Sequence, residues 1–79
     1  MEEKITKLVD CMNENCPMPL VKTREAIMNS KKGDVIKVIG THYQSFQEIP
    51  MALEAMGIEI IEKKLEEKNW VIIFKIWGG

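Results

Sequence analysis

The stretch "NENCPMPLVK", Asn13 to Lys22, joins a pattern typical of a β-strand to a pattern typical of an α-helix. Before it, "KITKLVD" (4–10) alternates along the chain between two sides, as a short strand does. After it, apolar residues recur at helical spacing from Pro17, and this pattern stops near "NSKKGD", where Gly33 and Asp34 indicate a helix end and a turn. The sequence therefore predicts strand, turn and helix, with a cysteine at the junction.

Downstream of this unit, "DVIKVIG" (34–40) predicts a second strand, because it is short, β-branched and bounded by glycines. Ser45 and Glu48 form a capping-box pattern ahead of a second helix. Pro50 is tolerated only in the first helical turn, so we expect this helix to begin late, near Glu48 or Ile49, after an irregular loop. A helix kinked at Pro50 is the alternative.

The last third of the chain reads as two β segments, Ile58 to about Leu65 and Trp70 to Trp77, joined by the polar turn "EEKN". The element order βαβαββ predicts an α+β fold. We expect a two-layer α/β sandwich in which both helices cover one face of a four-stranded mixed sheet. The length of 79 residues predicts a single domain, 1–79.

The final strand predicts which side of the sheet is buried. Side chains alternate along a strand, so one set of residues faces the helices and the other faces the open side. The set predicted to be in the core is Trp70, Ile72, Phe74 and Ile76, and the open set is Val71, Ile73, Lys75 and Trp77. The open set is itself largely apolar, so two outcomes stay open here: a patch for a partner or for self-association, or scattered surface residues.

Composition narrows the classes of function. Apolar residues make up 46% and charged residues 29%, the net charge is −1 and the pI is about 5.8. A basic face is therefore missing, and direct nucleic-acid binding is disfavoured. The start "MEEKITK" is acidic, and no apolar run approaches the roughly 18 residues of a membrane span. We expect a cytoplasmic protein without a membrane segment, whose two cysteines are reduced thiols.

The cysteine at the junction is in a position that favours a reactive thiolate. If Cys16 is the N-cap, Pro17 and Pro19 are the first and third helical residues, whose N–H groups have no partner in a helix anyway. Two fixed φ angles then make the first turn stiff. The positive end of the helix, with the free N–H of Met18 or Leu20, favours a thiolate, which is the nucleophilic form of cysteine. An inert, space-filling Cys16 is the less favoured interpretation.

The pattern Asp10-x5-Cys16-Pro17-x-Pro19, followed by "LVKTREAI", "KGDVIKVIG" and "IP", resembles the TusA/SirA-like sulfur-carrier proteins over nearly the whole chain. The resemblance implies a fold like the C-terminal domain of translation initiation factor three, with Cys16 carrying sulfur as a persulfide. The chain has Asn13 where members usually have glycine, and asparagine is the residue that best replaces glycine at positive φ. It has His42 and Tyr43 where members often have an acidic pair.

The resemblance implies a sulfur relay between two proteins. Cys16 would take sulfur from a donor such as a cysteine desulfurase and pass it to an acceptor protein, for tRNA thiolation, molybdenum cofactor or other sulfur metabolism. No cofactor or metal is expected, and the oligomeric state is expected to be a monomer or a weak homo-oligomer. Two alternatives are a thiocarboxylate carrier using the C-terminal Gly78-Gly79 and a non-catalytic regulatory or protein-interaction module.

Four further residues have competing interpretations. Cys11 is interpreted as packing, with a second role as a disulfide partner of Cys16 as the alternative. A zinc site would have three ligands from the two cysteines and His42, whereas a closed site needs four. His42 is therefore interpreted as a loop residue or a proton shuttle. Arg24 falls within the apolar stripe of the first helix, which predicts an ion pair or a buried stem. Partner contact through Lys22 and Arg24 is the alternative.

Overall fold

The computed structural model describes residues 5–15 and 18–76. Its elements in chain order are β1 (Lys7–Cys11), α1 (Met18–Met28), β2 (Val35–Gly40), α2 (Tyr43–Ala55), β3 (Glu59–Leu65) and β4 (Trp70–Lys75). The sheet order is β1-β2-β4-β3, with β1 parallel to β2 and the other two pairs antiparallel. The predicted βαβαββ order and mixed four-stranded sheet are confirmed. Neither helix in the described part is long and apolar enough to cross a bilayer.

The core lies between the two helices and one face of the sheet. Ile27 of α1 and Leu53 of α2 belong to the same buried cluster as Val38 of β2 and Ile72 of β4. The four residues predicted to face the core from the last strand are all buried: Trp70, Ile72, Phe74 and Ile76. Full burial of one such side chain contributes about 1.5–3 kcal/mol, so this strand anchors the sandwich.

The open face of the sheet mixes apolar and charged side chains. The strand register places Leu8, Lys37, Ile73 and Glu62 in one row across the sheet. The next row holds Asp10, Ile39, Val71 and Lys64. Ile39 and Val71 are paired directly and Ile73 follows on the same face of β4, so these three apolar residues are neighbours, with charged residues beside them on adjacent strands. Trp77, predicted on this face, lies outside the described residues.

The second helix begins earlier than the sequence predicts. It starts at Tyr43 with His42 as the N-cap, and Pro50 lies inside it, so both the late start and the Ser45–Glu48 capping box are wrong. A proline in a helix interior costs about 3 kcal/mol because it removes one hydrogen bond. Pro50 is buried together with Ile49 and Leu53, so the packing of its ring acts against this cost.

The first helix buries only some of the residues in its apolar pattern. Its buried residues are Pro19, Thr23 and Ile27, spaced by four, whereas Val21 is 40% and Met28 83% exposed. Thr23 tolerates burial because its hydroxyl donates to the carbonyl of Pro19, at 2.7 Å. The helix is therefore oriented so that the polar residues between these three buried positions face solvent.

Candidate functional site

Three connections leave the same end of the sheet. Its last row consists of Cys11, Gly40, Trp70 and Leu65, paired across the four strands. The loop at 12–15, the short connection at 41–42 and the turn at 66–69 all start from this row. Cys16 follows the first of these loops in the sequence. Cys16 and Pro17 lie outside the described residues, so their places as N-cap and first helical residue stay predictions.

The loop before Cys16 is fixed by backbone contacts. Asn13 has a φ of +64°, the left-handed conformation for which asparagine is well suited. Its N–H donates to Thr41 Oγ1 at 2.9 Å, which ties the loop to the connection after β2. The N–H of Glu14 donates to the carbonyl of Cys11 at 3.2 Å. These bonds give the chain one defined path from β1 towards α1.

The start of α1 is tied to the end of the same loop. The N–H of Met18, the first described residue of the helix, donates to the carbonyl of Asn15 at 3.0 Å. Met18 is 45% exposed, whereas Pro19 is buried. Asn15 and Met18 are therefore joined by a hydrogen bond, and the side chain of Met18 faces solvent whereas Pro19 packs in the core.

An ion pair bridges the loop and α1. The carboxylate of Glu14 accepts a hydrogen bond from Lys22 Nζ through Oε2, and the same ammonium donates to the carbonyl of Asp10 at 3.4 Å. The bond to Glu14 raises the pKa of Lys22. The other carboxylate oxygen, Oε1, is buried and has no partner in the described part of the chain. The sequence analysis missed this pair, because an eight-residue spacing across a loop follows no helical periodicity.

Cys11 is a buried free thiol. It is 0% exposed, pairs with Gly40 across the parallel strands and forms no disulfide. Burial, and secondarily the charge of Glu14, raises the pKa of the Cys11 thiol to about 11. At neutral pH this thiol is protonated and shielded, which supports the packing interpretation and leaves Cys16 as the candidate nucleophile.

We expect the buried thiol to make stability fall in alkaline solution. In the unfolded chain the Cys11 thiol ionises near its ordinary value of 9, whereas in the folded protein it stays protonated to about 11. The unfolded state therefore loses the proton first, and about 2–3 kcal/mol of stability disappears between pH 9 and 11. Urea unfolding at several pH values measures this loss. The Cys11→Ala variant is the control, and an equal alkaline loss in that variant would contradict the assignment.

His42 has a structural role through its backbone. Its carbonyl accepts hydrogen bonds from Trp70 Nε1 at 2.8 Å and from the N–H of Ser45 at 3.1 Å. Its ring Nδ1 lies 3.1 Å from Ser45 Oγ, which orients the imidazole. The residue is half-buried at the start of α2, next to Thr41 and so near the loop at 12–15.

The structure separates the other predicted residues. Arg24 is exposed and forms no ion pair with any residue in the ranges 5–15 and 18–76, so the prediction of a buried stem or a structural ion pair is wrong. In the same ranges, no three His, Cys, Asp or Glu side chains converge as metal ligands. Of the two basic residues, Lys22 is engaged in the ion pair and Arg24 is turned to solvent.

A groove of about 270 Å³ opens at the same end of the sheet. It lies between the start of α2 and the turn at 66–69, with Tyr43, Leu65 and Trp70 among its apolar walls. Thr41, which binds the backbone of Asn13, also lines it. Thr41 therefore connects the groove to the loop before Cys16, and both lie at the same end of the sheet.

The strand, the fixed loop and the helix define a small α+β protein whose signature cysteine precedes a helix. The model of the family described as sulfurtransferase TusA matches residues 7–76, a range that includes all six elements. The chain therefore belongs to the TusA sulfurtransferase family, which confirms the resemblance stated from the Cys-Pro-x-Pro pattern.

Individual relatives agree with this assignment. A candidate sulfur carrier protein of Thermotoga maritima is 31% identical over 74 residues, covering 92% of this chain and 94% of that protein. The candidate sulfur carrier YedF of Escherichia coli strain K12 is 33% identical over 54 residues, covering 68% and 70%. The crystal structure of a SirA-like protein from Desulfitobacterium hafniense superposes with a TM-score of 0.78 at 19% identity, covering 91% and 99%. This last likeness confirms the fold.

Proposed function

We propose that this member of the TusA family carries sulfur as a persulfide on Cys16. The observation that supports the proposal is that, in the sequence, the cysteine of the Cys-Pro-x-Pro pattern follows a loop of fixed geometry and precedes the first described turn of α1. The N-terminal end of a helix favours an anion, and a persulfide is anionic near neutral pH. The described residues nearest to Cys16 in the sequence, Asn15 and Met18, are joined by a backbone hydrogen bond.

The chemistry is an exchange between sulfur atoms. The Cys16 thiolate attacks the terminal sulfur of a persulfide on the donor protein. A new S–S bond forms to Cys16 as the old S–S bond breaks, and the donor cysteine leaves as a thiolate. The second step repeats this exchange with an acceptor thiolate, so the relay needs no external oxidant or reductant.

The partners in this proposal are two proteins. The donor is of the cysteine desulfurase type, and the acceptor carries a thiol that feeds tRNA thiolation, molybdenum cofactor assembly or other sulfur metabolism. Residues 1–79 act as one domain in the cytoplasm, where thiols stay reduced. Met18 and Arg24 are solvent-facing in α1, so both are available for partner contact.

Mass spectrometry of the loaded protein tests the proposal. The protein is incubated with a cysteine desulfurase and free cysteine, alkylated, and cleaved after glutamate, which separates Cys11 from Cys16 at Glu14. We expect a gain of about 32 Da, one sulfur atom, on the Cys16 peptide. A gain on the Cys11 peptide, or no gain, would contradict the proposal. In protein purified from cells, replacement of a C-terminal oxygen by sulfur on the peptide that ends in Gly78-Gly79 would instead favour the thiocarboxylate alternative.

A further inference from the structure

The open face of the sheet, on the side away from both helices, leaves apolar side chains in contact with water. Ile39 of β2 and Val71 of β4 are paired directly at its centre, and Ile73 follows on the same face of β4. All three are half-buried, and Leu8, on the edge strand β1, is 60% exposed. Burying these side chains against another surface is favourable, because it removes apolar area from water.

Opposite charges lie at the two edges of this face. In the row that contains Ile39 and Val71, Asp10 lies on the edge strand β1 and Lys64 on the edge strand β3, and both are exposed. Lys64 forms a 3.6 Å ion pair with Glu66 at the surface, which solvent screens, so this pair contributes little to stability. The row is therefore negative at one edge, apolar in the middle and positive at the other edge.

The adjacent row carries a second pair of charges. From β1 to β3 it holds Leu8, Lys37, Ile73 and Glu62. Lys37 and Glu62 form no ion pair with any residue in the ranges 5–15 and 18–76. Ile73 lies between them, which separates their strands by two strand spacings, about 9–10 Å. Within one copy of the chain, these two charges therefore do not meet across the row.

Two copies of this face can stack about a two-fold axis that lies in the interface and runs either along the strands or across them. An axis along the strands keeps each row opposite itself and exchanges the two edges. Asp10 of one copy then lies opposite Lys64 of the other, and Ile39 lies opposite Val71. Each of these contacts occurs twice, so the row is complementary to its own copy in both charge and hydrophobicity.

The same arrangement suits the row of Lys37. This lysine lies opposite Ile73 of the second copy, with Glu62 of that copy one strand spacing, about 5 Å, to the side. The stem of Lys37 packs on the isoleucine while its ammonium reaches the carboxylate. An axis across the strands, centred on this row, would instead place Lys37 against Lys37 and Glu62 against Glu62, and opposed like charges are destabilising. Of the two axes centred on the face, the charges therefore favour the one along the strands.

We propose that the open face binds a second copy of the chain, in a two-fold dimer whose axis runs along the strands. Four strands about 4.8 Å apart and about five residues long give each copy a face of roughly 15 × 17 Å. This area is below the roughly 800 Å² per partner of a stable complex, so the dimer is weak and forms at high protein concentration. The inference goes beyond the carrier function and holds whether or not Cys16 carries sulfur. In this dimer the loops at 12–15 of both copies lie at the same end.

Dilution of isotope-labelled protein tests the contact. Sedimentation and amide chemical shifts are measured between about 0.05 and about 2 mM. We expect the mass to rise from monomer towards dimer, with shift changes centred on the open-face residues: Leu8, Asp10, Lys37, Ile39, Glu62, Lys64, Val71 and Ile73. A protein that stays monomeric at the highest concentration would overturn the proposal and leave the face to a different protein. Shift changes centred on Met18, Val21 and Met28, which are exposed on α1, would also overturn it.

Exchanged charges test the arrangement. Asp10→Lys gives a chain with lysine at both edges, and Lys64→Asp gives one with aspartate at both. Each variant alone is expected to dimerise at least about tenfold more weakly, because like charges are then opposed. A mixture of the two is expected to recover the association, since each lysine then lies opposite an aspartate. Lys32→Asp, an exposed residue in the turn at 31–34, has the net charge of Lys64→Asp and is the control. Its mixture with Asp10→Lys is expected to show no such recovery.

A second exchange covers an effect of the first on folding. Asp10 accepts a hydrogen bond from the N–H of Met12 at 3.0 Å, which a lysine cannot replace, so circular dichroism and urea unfolding check each variant. Lys37→Glu and Glu62→Lys repeat the test at residues without an ion pair in the described ranges. We expect the same loss in each variant and the same recovery in their mixture. If neither mixture of folded variants associates more strongly than its components, the proposal is wrong.

Discussion

The Cys16→Ser variant is expected to take up no sulfur from a desulfurase and to pass none to an acceptor. A serine hydroxyl stays protonated at neutral pH and cannot form the S–S bond that the relay requires. The expected loss is complete, down to the signal of a reaction without carrier. Intact mass after incubation measures uptake, and sulfur arriving on the acceptor protein measures transfer.

Two further variants serve as controls for this loss. Cys11→Ala removes the other thiol, which is fully buried, and is expected to keep sulfur loading. Deletion of Gly78-Gly79 removes the ends that a thiocarboxylate carrier would use and is expected to keep it as well. Loading that survives in Cys16→Ser would reject Cys16 as the carrier. Its loss in Cys11→Ala would then assign the persulfide to Cys11, and its loss on deletion of the two glycines would favour a thiocarboxylate.

The Trp70→Ala variant is expected to lower the free energy of unfolding by about 3–5 kcal/mol, a large share of the total for a chain of this size. Trp70 is 1% exposed, its ring centroid lies 5.9 Å from that of Phe46, and its Nε1 donates to the His42 carbonyl. The substitution removes all three contributions at once. Urea unfolding followed by circular dichroism measures the change, and Met51→Ala, 71% exposed, is the control expected to cost little.

Gly40, next to Trp70, provides a second test of the contacts of this ring. A Cβ atom at Gly40 would overlap Cζ2 of the Trp70 ring, so Gly40→Ala is expected to cost about 1–3 kcal/mol through overpacking. In the Trp70→Ala background the space is free, and the same change is expected to cost much less. Additive costs would show that Gly40 is required for some reason other than contact with the ring.

The sequence was sufficient to predict the strands of the sheet, but not which residues of the helices are buried. Strand patterns such as "DVIKVIG" and the alternation from Trp70 depend on local periodicity, and the register confirms them. The predicted start of α2 was wrong because Pro50 lies inside the helix with its ring buried. Only the packed structure reveals this burial. The apolar pattern of α1 is only partly buried for a similar reason, since Thr23 is in the core with its hydroxyl bonded to the carbonyl of Pro19.

The central residue of the candidate site could be predicted from the sequence, but the contacts around it could not. Cys16 is distinguished by the prolines next to it, which are visible in one dimension. The bond between Asn13 and Thr41 and the ion pair of Glu14 with Lys22 join residues that no local pattern relates. Opposite charges on either side of the cysteine were the available signal, but only the fold shows that they meet.

The three connections at one end of the sheet leave the candidate site and the turn at 31–34 at opposite ends of the molecule. The turn at 31–34 leads into the start of β2, whereas the loop before Cys16 follows the end of the parallel strand β1. Lys32, in that turn, is exposed. A dye or a surface linkage at this lysine would leave the opposite end unobstructed. The protein is thus suited to immobilisation for measuring, in real time, how long a donor or an acceptor stays bound.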